Sequence, residues 1–159
     1  MAKKIELMVV DSGRVKAMAE LLEEDAPAVC EAMWKALEVP METKGIHAMW
    51  SGREIMLEMP EENQRFDPTK VPVQNATIYP LPGDLCWAYF PPYWERGFTR
   101  GIFDFMIIYG PETVINCAVG PVPVSVWAHI TEGLEEFAEE CAKIRIEGLK
   151  TFRVRRVEE

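Results

Sequence analysis

A chain of 159 residues, 48% hydrophobic and 27% charged, has the size and apolar content of one packed domain, here expected to span residues 1–159. Its formal net charge of −9 opposes phosphate backbones and excludes nucleic acid as an expected partner. No apolar run approaches the ~18 residues that cross a bilayer, and Met1 to Leu7 carries no apolar core of a secretory signal, so the expectation is a cytoplasmic protein without a membrane partner.

Lys3 to Val10 alternates through Ile5, Leu7 and Val9. After the turn Asp11-Ser12-Gly13, Arg14 to Leu22 alternates again, which predicts a β-hairpin. Glu23, Glu24 and Asp25 precede Ala26-Pro27, placing negative charge and proline where a helix begins. That helix is predicted to run to about Glu38, with Val29, Cys30, Met33, Ala36 and Leu37 on its buried stripe. Gly45 to Trp50 and Arg53 to Met59 form a second predicted strand pair, hinged at Ser51-Gly52.

Pro60 to Thr77 is polar and proline-bearing, and its length predicts either a flap or interaction arm, or disorder. The turn Tyr79 to Asp84 leads into a strand from Leu85 to Phe90, and Pro91 to Arg100 forms an aromatic and cationic loop. Gly101 to Tyr109 is nearly continuous apolar sequence, as in a strand buried on both faces. Short strands are expected at Thr113 to Cys117 and Val122 to His129. Thr131 is expected to cap a helix running to about Ile144, and Lys150 to Val157 to be the last strand. Arg153, Arg155 and Arg156 alternate with Val154 and Val157, which places them on its wet face. About eight strands and two helices predict a mainly β fold, a closed eight-stranded barrel plugged by helices.

Cys30, Cys86, Cys117 and Cys141 lie far apart without a C-x-x-C pair, so no metal, disulfide framework or cofactor is expected. Cys30, Cys86 and Cys141 fall on apolar stripes and are expected to be buried thiols.

Polar and aromatic groups concentrate between Gly45 and Leu57. His47 admits two readings, a hydrogen-bonded structural group or a general base oriented by Ser51 and Glu54. Ser51 before Gly52 reads as a turn former rather than a nucleophile, because no G-x-S-x-G elbow surrounds it. Arg53 and Arg100 are candidates to clamp a carboxylate or planar amide, against the alternative of surface ion pairs. Trp50, Tyr79 and Tyr109 lie beside loops and could line a pocket. The candidate set is therefore His47 and Arg53 for catalysis, with Trp50, Ser51, Glu54, Tyr79, Arg100 and Tyr109 for ligand binding.

The element order, with Glu24 to Leu37 followed by Gly45 to Ile55, resembles the start of a cyclophilin-like barrel, and Val126 to Glu135 resembles its later strand-to-helix segment. Trp50-Ser51-Gly52, Tyr79 to Asp84 and Tyr109-Gly110 are similar to motifs of a bacterial and archaeal family of small cyclophilin-like proteins of unknown function. The resemblance implies a closed eight-stranded barrel with a helix at each end and raises prolyl isomerisation as an activity. Against that activity, Ala48 follows His47 where an isomerase carries arginine, and Glu54 to Glu58 replaces the aromatic and glutamine motif. One preorganised donor contributes roughly 3 to 4 kcal/mol to such catalysis. The expectation is a binder of a small polar or anionic molecule or a peptide. The alternatives are an enzyme, either a weak isomerase or a lyase or hydrolase acting on a small amide, and a homo-oligomeric subunit joined through the Pro91 to Phe98 loop.

Overall fold

The computed structural model describes residues 1–157. In chain order the elements are β1 (Lys4–Val9), β2 (Val15–Leu21), α1 (Pro27–Ala36), β3 (Met41–His47), β4 (Glu54–Glu58), β5 (Ala76–Thr77), β6 (Asp84–Phe90), β7 (Ile102–Ile108), β8 (Asn116–Cys117), β9 (Gly120–Pro121), β10 (Val124–Glu132), α2 (Leu134–Glu147) and β11 (Lys150–Val157). The strands pair in the order β2, β1, β11, β3, β4, β7, β6, β10, and β10 pairs again with β2. This closes a mainly β, eight-stranded antiparallel barrel with two helices, and β5 adds to the rim beside β10. Closure removes both sheet edges.

Alternation decides which side chains fill the barrel. Ile5, Leu7 and Val9 of β1, Ile55 and Leu57 of β4, and Phe105 and Ile107 of β7 all point inward, with Trp127 and Phe152 among the largest buried groups. Helix α1 leaves β2 by its Leu21 end and brings Val29, Cys30 and Met33 to this core. Helix α2 starts beside Lys16 and Ala17 at the other end and brings Phe137, Cys141 and Ile144. Among the described residues, no helix is long and apolar enough to cross a membrane.

Strands β7, β6 and β10 carry apolar residues on their outer face as well. Cys86, Met106, Ile108, Ile115, Val124 and Val126 form a second buried cluster there, outside the barrel. The near-continuous apolar run read from Gly101 to Tyr109 has this cause: β7 lies between β4 and β6, and chain crosses over its outer face.

Three local expectations are corrected. Residues 60–77 are a packed connector rather than a flap or disordered arm. The connector contains short 3₁₀ turns at Glu61–Asn63 and Pro68–Lys70, and it holds α1 at both ends. Gln74 Oε1 accepts from the Ala28 and Val29 N–H groups (2.9 and 3.3 Å), while Asn63 Nδ2 donates to the Ala36 and Val39 carbonyls (2.9 and 2.8 Å). Phe66 packs edge-on against Trp87 and Phe103. Next, α2 begins at Leu134 after Gly133 rather than at a Thr131 cap. Thr131 Oγ1 donates instead to the Met18 carbonyl across an irregularity in the β10–β2 pairing. Finally, β3 begins at Met41 and stops at His47, so Met49 and Trp50 stand in an exposed turn rather than in a strand.

Candidate functional site

The outer face of β4 and β7 forms the floor of a cavity of about 300 Å³, a size at the lower end of small-molecule sites. Met56 and Met106 are directly opposed across the two strands and occupy the middle of that floor. Glu54 is two residues from Met56 in one direction. Glu58 and its cross-strand partner Asp104 are two residues away in the other. The walls come from two loops and a hairpin. Met49, Trp50 and Ser51 belong to the β3–β4 turn, Trp94 and Phe98 to the β6–β7 loop, and Asn116, Cys117 and Val122 to the β8–β9 region.

Ser51 fixes the Glu54 end. Its hydroxyl is hydrogen-bonded both ways to the Asn116 backbone, donating to the carbonyl at 3.2 Å and accepting from the N–H at 3.0 Å. This ties the β3–β4 turn to the segment crossing over β7. The turn former expected at Ser51 is therefore a cross-link between two cavity walls. Burial pushes the Glu54 carboxyl up to about 7, against a smaller opposing effect of the neighbouring Ser51 hydroxyl.

At the other end, Asp104 is 4% exposed, and its Oδ1 has no hydrogen-bond partner among the described residues. Burial, reinforced by the negative fields of Glu54 and Glu58, holds this carboxyl well above the usual carboxylate range. Phe90 and Ile102 are paired across β6 and β7 one step further along the same outer face, and Trp94 tilts onto Phe90 at 5.9 Å. An acidic group thus stands against an aromatic wall. The lining includes Glu54, Glu58, Glu95 and Asp104 but no lysine or arginine.

The structure brings some predicted site residues together and leaves others apart. Trp50, Ser51 and Glu54 line the cavity. His47 also contributes to its wall, but it pairs with the core residue Ile55, so its ring lies on the barrel side of the sheet, opposite to Glu54. There Nδ1 donates to the Ala48 carbonyl at 2.9 Å, leaving Nε2 to accept from the Tyr109 hydroxyl at 2.6 Å in the neutral ring. Both ring nitrogens are hydrogen-bonded within the protein, and Tyr109 is a buried partner of His47 outside the cavity lining.

Arg53 lies outside the cavity lining. Its guanidinium donates to the Pro111 carbonyl at 2.8 Å and pairs with exposed Glu112 at 3.6 Å, which is the surface ion pair held open for it. Tyr79 is 65% exposed and also outside the lining. Arg100 sits at the rim, bonded to Glu58. Sequence reasoning passed over Asp104, although a signal was present: it is the single charge in the apolar strand Ile-Phe-Asp-Phe-Met-Ile-Ile. The cavity face of Met56 depends on register and had no local signal.

Among the described residues, no group of three or more histidine, cysteine, aspartate or glutamate side chains is arranged to hold a metal ion. His129 Nδ1 bonds to Asp84 Oδ1 at 2.9 Å, and Asp84 Oδ2 also accepts from the Leu81 N–H at 2.8 Å, so this carboxylate braces its own turn.

A closed antiparallel barrel plugged by two helices, with its cavity on the outside of the wall, is a cyclophilin-like barrel. The chain belongs to the DUF3830 family of proteins of unknown function, whose model matches residues 8–155. Two solved structures illustrate the fold. The structure of McbB in complex with tryptophan is 20% identical, with a TM-score of 0.66 over 98% of this chain and 45% of that one. The Mimivirus cyclophilin is 13% identical, with a TM-score of 0.55 over 97% of this chain and 87% of that one. The chain thus spans less than half of the McbB chain, and at these identities the likeness concerns the fold alone. No curated protein matches the sequence.

Proposed function

We propose that this protein binds a small, largely apolar molecule bearing hydrogen-bond donors in the cavity outside β4 and β7. The observation that carries the reading is Asp104, a buried carboxyl in a cavity wall whose Oδ1 has no hydrogen-bond partner among the described residues. Leaving a buried carboxyl short of partners costs about 1–3 kcal/mol, and a ligand donor that reaches the carboxyl would recover part of that cost. The lining favours this chemistry over the anionic ligand anticipated from Arg53 and Arg100, because four acidic residues and no lysine or arginine line the cavity. A peptide is a less natural occupant, since its backbone offers as many acceptors as donors.

A second reading, an enzyme, draws support from Glu54. A carboxyl held near 7 in an apolar site is suited to take up or release a proton at neutral pH. On this reading Glu54, rather than His47, is the acid or base. Prolyl isomerisation gains no support, because the cavity wall contains no guanidinium. The exposed side chains of Tyr93, Trp94 and Phe98 also offer a surface for a second copy of the chain, which sedimentation over a range of concentrations tests directly.

The binding reading is tested by thermal-shift screening of neutral and basic fragments, followed by tryptophan fluorescence, since Trp50 and Trp94 stand in the wall. Hits should lose their effect in Ile102→Trp, which narrows the cavity. Hits that act unchanged on that variant would place their site elsewhere.

A further inference from the structure

We infer that the ligand is an organic ammonium ion on an aromatic carrier, an arylalkylamine, seated with its charged nitrogen at Asp104 and its ring among Phe90, Trp94 and Phe98. The inference rests on the cavity being a small-molecule site and adds the class of ligand.

Charge is the first argument. Of the four acidic residues lining the cavity, Glu58 is bonded to Arg100 and Glu95 accepts the Ala118 N–H at 3.1 Å. Glu54 and Asp104 face the cavity without a cation of their own among the described residues. A neutral donor would satisfy the Asp104 carboxyl, but an ammonium group also offsets the charge that the carboxyl takes on when it ionises. Hydrogen bonds to an ionised partner are roughly twice as strong as neutral ones.

Position is the second argument. The β6–β7 loop starts at Phe90 and returns at Ile102, so Trp94 and Phe98 hang over the Asp104 end of the floor. Aromatic faces attract cations, most strongly where water is displaced, and they also stack against a flat ligand ring. Burial alone makes an ionised Asp104 costly, and an ammonium partner offsets that cost. A carboxylate on the same ligand would meet Glu54, Glu58 or Glu95 with no cation in the wall to receive it. An amine should therefore be preferred over its amino acid.

Calorimetric titration of the full chain with four indoles separates these points. Tryptamine carries the ammonium, tryptophol replaces it with a hydroxyl, tryptophan adds a carboxylate, and indole-3-propionate is purely anionic. Tryptamine is expected to bind at least tenfold more tightly than tryptophol and tryptophan, with no binding of indole-3-propionate. Asp104→Asn should reduce tryptamine to the tryptophol level, erasing the preference for the ammonium, and a tenfold preference that survives the substitution would place the charged nitrogen elsewhere. Phe98→Ala, on an exposed loop where folding is not at stake, should weaken both ligands. Equal affinities for tryptamine and tryptophol in the native chain would overturn the ammonium and leave the cavity reading standing. Failure of all four to bind would overturn both.

Discussion

Glu58 and Asp104 are directly opposed across the β4–β7 pair, yet Arg100 bonds to Glu58, and among the described residues no cation is bonded to Asp104. The unequal pairing follows from depth. Glu58 lies at the rim, where the side chain of exposed Arg100 reaches it, whereas Asp104 is buried in the cavity wall. Asp104→Asn should therefore stabilise the empty protein at pH 8 relative to pH 4. Folding raises the Asp104 pKa, so the unfolded chain ionises first as pH rises, and stability drains from the native protein across that interval. Urea unfolding at the two pH values measures the difference. A variant less stable than the native chain by the same amount at both would contradict the assignment.

Glu54 gives the same test with a bounded window. Its carboxyl moves from 4.5 to about 7 on folding, so its contribution is intact below about 4.5 and is lost as pH climbs to about 7. The full interval corresponds to roughly 3 kcal/mol at 1.36 kcal/mol per pKa unit. Glu54→Gln should show its greatest relative stabilisation above pH 7 and little or none at pH 4. The partial loss of the Ser51 interaction reduces the gain at every pH.

If His47 is structural, its bond to Tyr109 should matter for stability and not for ligand binding. Tyr109→Phe removes the hydroxyl that His47 Nε2 accepts from and should cost about 1–3 kcal/mol, the penalty of an unmatched buried acceptor. Chemical denaturation reads that cost. Fragment affinities in the cavity should stay within twofold of the native chain, and a tenfold loss would return the imidazole to the site.

The barrel was legible because alternation reports burial directly: Ile5-Leu7-Val9 and the apolar run around Phe105 could only be strands with filled faces. The second apolar face of β7 was legible too, and it was the trace of the cavity floor. The site itself was only half visible. Ser51 and Glu54 stood out because polar residues crowd one turn, but Asp104 lies 50 positions further on, and its relation to Glu58 exists only through the β4–β7 register. Arg53 misled for the same reason. Sequence proximity to His47 and Glu54 says nothing of direction, and the side chain turns to the Pro111 carbonyl.

The connector at residues 60–77 misled by composition. Polar side chains there signalled solvent, although Asn63 and Gln74 spend their amides on the backbone ends of α1. Gln74→Ala should cost about 1 kcal/mol, as the loss of a helix cap does. Asn63→Ala, which frees two carbonyls in a buried setting, should cost about 2–3 kcal/mol. Thermal denaturation orders the two. Neither substitution lowering the midpoint would mean that the connector does not hold the helix.

The most direct test of the cavity uses the methionines, three of which line it while four others are buried away from it. Methyl-labelled methionine spectra should be recorded during titration with tryptamine and with tryptophol. Resonances of Met49, Met56 and Met106 are expected to move, and those of Met8, Met33, Met41 and Met59 to stay in place. Saturable shifts confined to the core set, or none at either ligand's saturating concentration, would contradict a binding site on the outer wall of the barrel.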